Sequence, residues 1–263
     1  MKKFFAFCSM HFQNAHTFRG ERIVWIIIDA VPAFIMVQLW AYLEHAGRMT
    51  SDQAARLSAY YLLVLIISRL TATNYEEWFI RDIKDGAVSK IFVRPIIYPV
   101  FLLAGEMMWR ITGILYILPV FAIFGLKPEY FHVLELEPLI LLFMFAALII
   151  AFIIRFLISW IISLAAFWFD EASFLIHIKW GFEGFLGGLF LPLTFFPATI
   201  QKISAMSPFY LWYQVPIGLM SGTMHIQQSA WSLFFGCGWI IVLSLLSALM
   251  WNRAIKKYSA VGG

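Results

Sequence analysis

The chain has 263 residues, of which 62% are hydrophobic and only 13% charged, with a formal net charge of +4. Its mean hydropathy of +0.82 exceeds what a soluble core needs, which excludes an ordinary soluble domain and points to an all-α polytopic membrane protein. Two cysteines, Cys8 and Cys237, provide neither a disulfide framework nor a zinc spacing, and the six histidines lack the i, i+4 pairing of a helical metal site.

The first element, "KKFFAFCSMHFQNAHT", places Phe4, Cys8, Phe12 and Ala15 on one stripe with polar residues opposite. That pattern predicts a helix over about residues 1–21 lying in the membrane surface; the alternative is a cytoplasmic tail. Its apolar part is too short for a signal peptide and no small-residue cleavage site follows. Six apolar segments then approach the roughly 20 residues that cross a hydrocarbon core. They run from about Ile23 to Leu43, Leu57 to Ala72, Pro95 to Phe124, Pro138 to Phe167, Phe174 to Phe195 and Trp231 to Trp251. Between the last two, about residues 196–228, Pro208, Pro216 and two glycines break the pattern, so this piece is expected to be re-entrant on one side and not a seventh span.

Lysine and arginine fix the expected orientation, because they are retained in cytoplasmic loops. Twelve fall on the side of both termini and four on the other, while Arg69, Arg110 and Arg155 lie within spans. Both termini are therefore expected in the cytoplasm, with membrane lipids as the surroundings. The net charge follows from this topology, and nucleic acid is not a partner.

Charges inside spans are expensive, at roughly 2.5 to 3.5 kcal/mol each on insertion scales. Glu106 and Arg110 stand one helical turn apart in the favoured acid-first order and can neutralise each other. Asp29 and Arg155 have no partner nearby in sequence; they either pair across helices or line a watery path. No Gly-rich phosphate loop followed by Lys and Ser or Thr occurs, so the chain has no nucleotide site of that kind, and ATP would have to be bound by another polypeptide. No nucleophile and base cluster suggests an enzyme.

The stretch "FIRDIKDGAVSKIFVRPIIY" interrupts the apolar runs with six charges between the second and third segments. Upstream, Glu76 and Glu77 open a helical pattern that Arg81 and Lys84 close before Gly86, a polarity suited to the helix dipole and a glycine stop. The piece after it is amphipathic and runs into Pro95, a residue favoured in a first helical turn.

At these residues the sequence resembles the membrane subunits of ABC-2 type ATP-binding-cassette transporters. The likeness is carried by Asp85, Gly86, Ile91, Phe92, Val93, Arg94 and Pro95. A second stretch, "GGLFLPLTFFPATIQKISAMSPFYLWYQVPIGLMSG", carries it through Gly188, Pro192, Pro197, Pro208 and Tyr210. The resemblance implies that residues 75–95 are a cytoplasmic coupling segment docking into a separate ATPase, with Arg81, Asp82, Lys84, Asp85 and Lys90 also at that surface. It implies two ATPase copies, which would bind ATP with Mg, and no cofactor on this chain itself. It also implies an elbow helix at the N-terminus, an extracellular re-entrant segment, a bacterial inner-membrane location and export of an amphipathic or lipid-like substrate. A second permease, identical or paralogous, would complete the pathway. Gly184 and Gly188, spaced as GxxxG, either pack at that dimer interface or within one subunit. The competing class is an ion-driven carrier using Asp29, Glu106, Arg110 and Arg155.

Overall fold

A computed structural model of the chain describes residues 2–17, 19–89, 98–123, 130 and 132–257. It is helical throughout, with no strand among the described residues. Helix α1 covers Lys2–Thr17 and α2 Arg19–His45; α3 covers Ser51–Thr71, α4 Glu76–Lys84 and α5 Tyr98–Ile123. Helix α6 is Pro138–Ala165, α7 Phe174–Leu186, α8 Ala198–Met206, α9 Tyr210–Met220 and α10 Ile226–Lys257. Four stretches among the described residues are long and apolar enough to cross a membrane: Ile27–His45, Ser51–Lys84, Pro138–Ala165 and Ile226–Lys257. The second of these takes in both α3 and α4.

Local chemistry explains the helix ends. Thr50 caps α3: its hydroxyl accepts from the Gln53 amide at 3.3 Å, and the Gln53 side chain accepts from the Thr50 amide at 3.0 Å. Two otherwise orphaned N–H groups are satisfied by this reciprocal box. Pro138 begins α6, where its missing N–H has no partner to lose.

The core lies between α3, α6 and α9, where Tyr60, Tyr61, Leu63, Val64, Ile154, Trp212 and Tyr213 are buried together. Helix α2 runs along α3, with Trp40 stacked on Tyr61 at 6.5 Å. Helix α10 packs along α6, and Trp160 meets Trp251 at 5.3 Å near the C-terminal ends of both. Helix α1 lies on α5, where Phe7 meets Phe101 at 5.3 Å edge-on. Large apolar side chains left exposed, including Leu142, Phe145, Phe234 and Leu245, form outward faces of α6 and α10. Lipid is the solvent such faces suit.

The apolar run from Phe174 to Phe195 is not one helix. Helix α7 stops at Leu186, and 13 residues reach only about 20 Å, short of a hydrocarbon core of about 30 Å. Gly187 and Gly188 end it, and Gly188 takes φ +87°, a left-handed angle that continues no helix.

The freed backbone beyond α7 is held by α3. Tyr60 donates to the Gly188 carbonyl at 2.6 Å and Tyr61 to the Phe190 carbonyl at 2.9 Å. The chain then makes a single 3-10 turn at Leu193–Phe195, placing Phe195 on the Trp40 ring at 6.4 Å. Helix α8 leads back: Ser204 donates to the Leu186 carbonyl, and Trp239 of α10 donates to the Met206 carbonyl at 3.2 Å. Helix α9 then returns to Met220, whose carbonyl accepts from Glu135 at 2.7 Å beside the start of α6. Helices α8 and α9 thus form a hairpin whose tip lies beside the end of α7.

Candidate functional site

Helix α4 separates two kinds of surface. Phe79, Ile80 and Ile83 are buried, as is Val88 beyond its end. Phe79 lies 5.4 Å from the Trp160 ring of α6 and 5.0 Å from Tyr98 of α5. Just before the helix, Tyr75 donates to the Phe156 carbonyl at 2.8 Å. The opposite side presents Glu77, Trp78, Arg81, Lys84 and Asp85 to solvent. Lys84 reaches Glu171 of the α6–α7 loop at 2.7 Å. Burial lifts the Asp82 carboxyl above its ordinary range, with Arg81 pulling it down and Asp85 adding to the rise.

After Asp85 the chain turns at Gly86 with φ +69°, where a Cβ would meet open space but adopt an unfavourable backbone angle. Lys90, Ile91, Phe92, Val93, Arg94 and Pro95, the second half of the expected coupling segment, lie outside the described residues.

Glu76, the first residue of α4, does not face solvent with the other charges. It is 2% exposed and pairs with Lys179 of α7, itself 6% exposed. Ser159 of α6 donates to the same Glu76 oxygen at 2.6 Å and shares a 2.6 Å hydrogen bond with Thr73. The Lys179 ammonium also donates to the Thr73 carbonyl at 3.3 Å. Lys179 counts among the surface cations in the charge tally, yet it lies a turn and a half inside α7.

One turn along, the arrangement repeats with the signs exchanged between elements. Arg155 of α6 pairs with Glu183 of α7 at 2.9 Å, and its guanidinium lies 4.2 Å from the Trp212 ring centroid and 4.8 Å from that of Tyr213. Tyr213 of α9 donates to Glu183 at 2.6 Å and shares a 2.8 Å hydrogen bond with Ser68 of α3. Arg155 therefore pairs across helices, the first of its two expected possibilities. Asp29 does so too, with Arg69 of α3. Glu106 and Arg110 meet at 2.8 Å along α5, and the guanidinium of Arg110 covers the Phe152 ring at 4.7 Å.

The glycines and prolines of the second motif have distinct places. A Cβ on Gly184 would collide with the Phe190 ring, and one on Gly188 with the Gln214 amide and, at 2.6 Å, the Tyr60 hydroxyl. Both glycines thus accommodate groups of their own chain. Pro192 precedes the 3-10 turn, Pro197 precedes α8, Pro208 sits in the turn between α8 and α9, and Tyr210 begins α9.

The family model described as "ABC-2 family transporter protein" matches residues 26–262. The chain belongs to this ABC-2 family. No curated protein and no solved structure gives a match. An ABC-2 family member of this kind is a membrane permease of an ABC-type transporter and generally partners with an ABC ATPase. The helices of this ABC-2 chain accord with that membrane setting, and their buried charges are matched in pairs.

Sequence reasoning missed Glu76, Lys179, Ser159 and Glu183 as interior groups. The one available signal was spacing: Lys179 and Glu183 stand four residues apart on α7, as Arg155 and Ser159 do on α6.

Proposed function

We propose that this ABC-2 permease forms half of an ATP-driven export pathway, with α4 as the element that receives an ATPase. The carrying observation is the two-faced character of α4. Its apolar side is locked against α5 and α6, and its charged side is open beside Lys84 and Glu171. A partner that pushes on the open side acts on the spans through the locked one.

Six membrane crossings fit this reading: α2, α3, α5, α6, α7 with the irregular piece to Phe195, and α10. The α8–α9 hairpin then closes the external end, with the Met206 carbonyl at the end of α8 held by Trp239 and the irregular backbone before α8 held by Tyr60 and Tyr61. Both termini lie in the cytoplasm of a bacterial inner membrane, in keeping with the twelve-to-four distribution of cations. Two ATPase copies carry ATP and Mg, and a second permease, identical or paralogous, completes the pathway. Spans rich in aromatic residues suit an amphipathic or lipid-like cargo. Lys90 to Pro95, which link α4 to α5 in the sequence, belong to the same proposed docking segment.

Purification of the tagged chain in mild detergent tests this directly. An ABC ATPase should accompany it, and Phe92→Asp should abolish both that association and transport while leaving membrane insertion intact. A chain that purifies without an ATPase and transports unaided would overturn the reading.

A further inference from the structure

We propose that Glu76 and Lys179 are positioning residues that pass displacement of α4 to α7 and, through Glu183 and Tyr213, to the α8–α9 hairpin. This rests on α4 being the ATPase-receiving helix. The apolar face of α4 leans on α5 and α6, but its first residue alone is ionically bound to α7. Glu76 also accepts from Ser159, so α4, α6 and α7 meet at one carboxylate.

Lys179 and Glu183 are one turn apart on α7, and a single rigid helix therefore carries both ends of the connection. Glu183 in turn accepts from Tyr213, 34 residues beyond Lys179 in sequence but adjacent in space, at 2.6 Å. Tyr213 sits in the first turn of α9, the helix of the hairpin that ends beside Glu135 at the opposite end of α6. Arg155 neutralises Glu183 in the same way that Lys179 neutralises Glu76.

These contacts are directional, and so differ from the apolar packing around them. Apolar packing holds helices together through shape and buried area without tying one particular atom to another. A carboxylate buried against an ammonium cannot separate from it without leaving an unpaired charge in a low-dielectric interior. Moving α4 along its axis therefore carries α7 with it. Because α7 is short and stops at Leu186, just before the left-handed Gly188, its shift is delivered to the hairpin and not absorbed by a longer span.

The test uses the complex of the full chain with its ATPase in lipid nanodiscs. A cysteine replaces Thr223, just beyond α9, in a Cys8→Ser, Cys237→Ser background and carries an environment-sensitive fluorophore. In the wild-type pairing, ATP with vanadate should change the emission of this probe. Glu76→Gln and Lys179→Gln should each retain the ATPase and its hydrolysis but reduce the probe response at least threefold. The exchanged pair Glu76→Lys, Lys179→Glu should recover much of it.

Tyr213→Phe keeps the ring and removes only the hydroxyl, so it should reduce the response without disturbing the α4 region. It also keeps the test decisive if the charge variants fail to fold. A full response in Tyr213→Phe and in whichever Gln variants fold, at unchanged hydrolysis, overturns the relay while leaving ATPase docking intact. A wild-type chain that recruits no ATPase instead defeats the docking reading on which the relay stands.

Discussion

Replacing Gly188 by alanine separates the demands of a backbone angle from those of a crowded site. Gly47, Gly86 and Gly188 all take positive φ, at +68°, +69° and +87°. An L-residue held in that region costs about 1 to 2 kcal/mol. At Gly47 a Cβ meets nothing within 4 Å, so Gly47→Ala should lose only that amount.

At Gly188 the Cβ falls on the Gln214 amide and 2.6 Å from the Tyr60 hydroxyl. Tyr60 donates to the Gly188 carbonyl at 2.6 Å and accepts from Gln214 at 2.8 Å, so both hydrogen bonds must break or distort. Each buried polar group left unsatisfied adds about 1 to 3 kcal/mol. Gly188→Ala should therefore destabilise by about 3 to 8 kcal/mol. Tyr60→Phe, which strands the same carbonyl and amide without backbone strain, should fall between the two. Thermal ramps read by size-exclusion chromatography of detergent-solubilised protein would rank the three. At roughly 2 to 4 °C per kcal/mol for a chain of this size, Gly188→Ala should shift the midpoint by about 10 °C and Gly47→Ala by a few degrees. Equal shifts for the two glycine variants would refute the account of how residues 187–190 are held to α3.

Three other outcomes follow from the same geometry. Arg155→Met should destabilise by about 3 to 5 kcal/mol because it strands the buried Glu183, whereas Arg155→Met with Glu183→Leu should recover most of the loss; thermal midpoints decide, and a double variant as poor as the sum would contradict it. Single cysteines at Ser51 and Lys84 should label from opposite sides of intact cells with an impermeant maleimide, while those at Lys202 and Gln227 should label from the Ser51 side; equal labelling at Ser51 and Lys84 would sink the topology. Lys84→Ala should change stability and ATPase recruitment little, since its Glu171 partner is 83% exposed and such pairs contribute about 0 to 1 kcal/mol; co-purification measures this.

Long apolar runs with polar boundaries made the helices α2, α3, α5, α6 and α10 legible in the sequence, because a long helix with a wide apolar surface leaves its length and hydrophobicity directly in the composition. The Glu106–Arg110 pair was legible for a local reason: both residues stand on one helical face. Asp29 and Arg155 were visible as charges needing partners, but Arg69 and Glu183 are brought to them only by packing. Glu76 and Lys179 were hidden further. Each sits near the end of an apolar run, where a charge normally reaches water, and 103 residues separate them. The short α7 had a signal in the Gly187–Gly188 pair, which the continuous hydrophobicity to Phe195 masked.

Four carboxylates among the described residues, Asp29, Glu76, Glu106 and Glu183, are each matched by a cation on an adjoining turn or helix. An ion-driven carrier needs an acid that alternates between ionised and neutral during its cycle. A carboxylate fixed against arginine resists that change, because protonating it leaves the guanidinium buried and uncompensated. The pairs therefore favour a scaffold that holds helices in register, with energy entering elsewhere, and α4 is the exposed polar element suited to receive it. In proteoliposomes containing the permease and its ATPase, ATP-dependent export of an amphipathic fluorescent dye should persist at an undiminished rate when a protonophore collapses the proton gradient. Glu106→Gln, which retains a hydrogen bond acceptor for Arg110, should preserve that insensitivity even where it lowers stability. Dye movement by the permease alone, driven by an imposed proton gradient and lost in Glu106→Gln, would show that the charges carry protons and would refute the scaffold assignment.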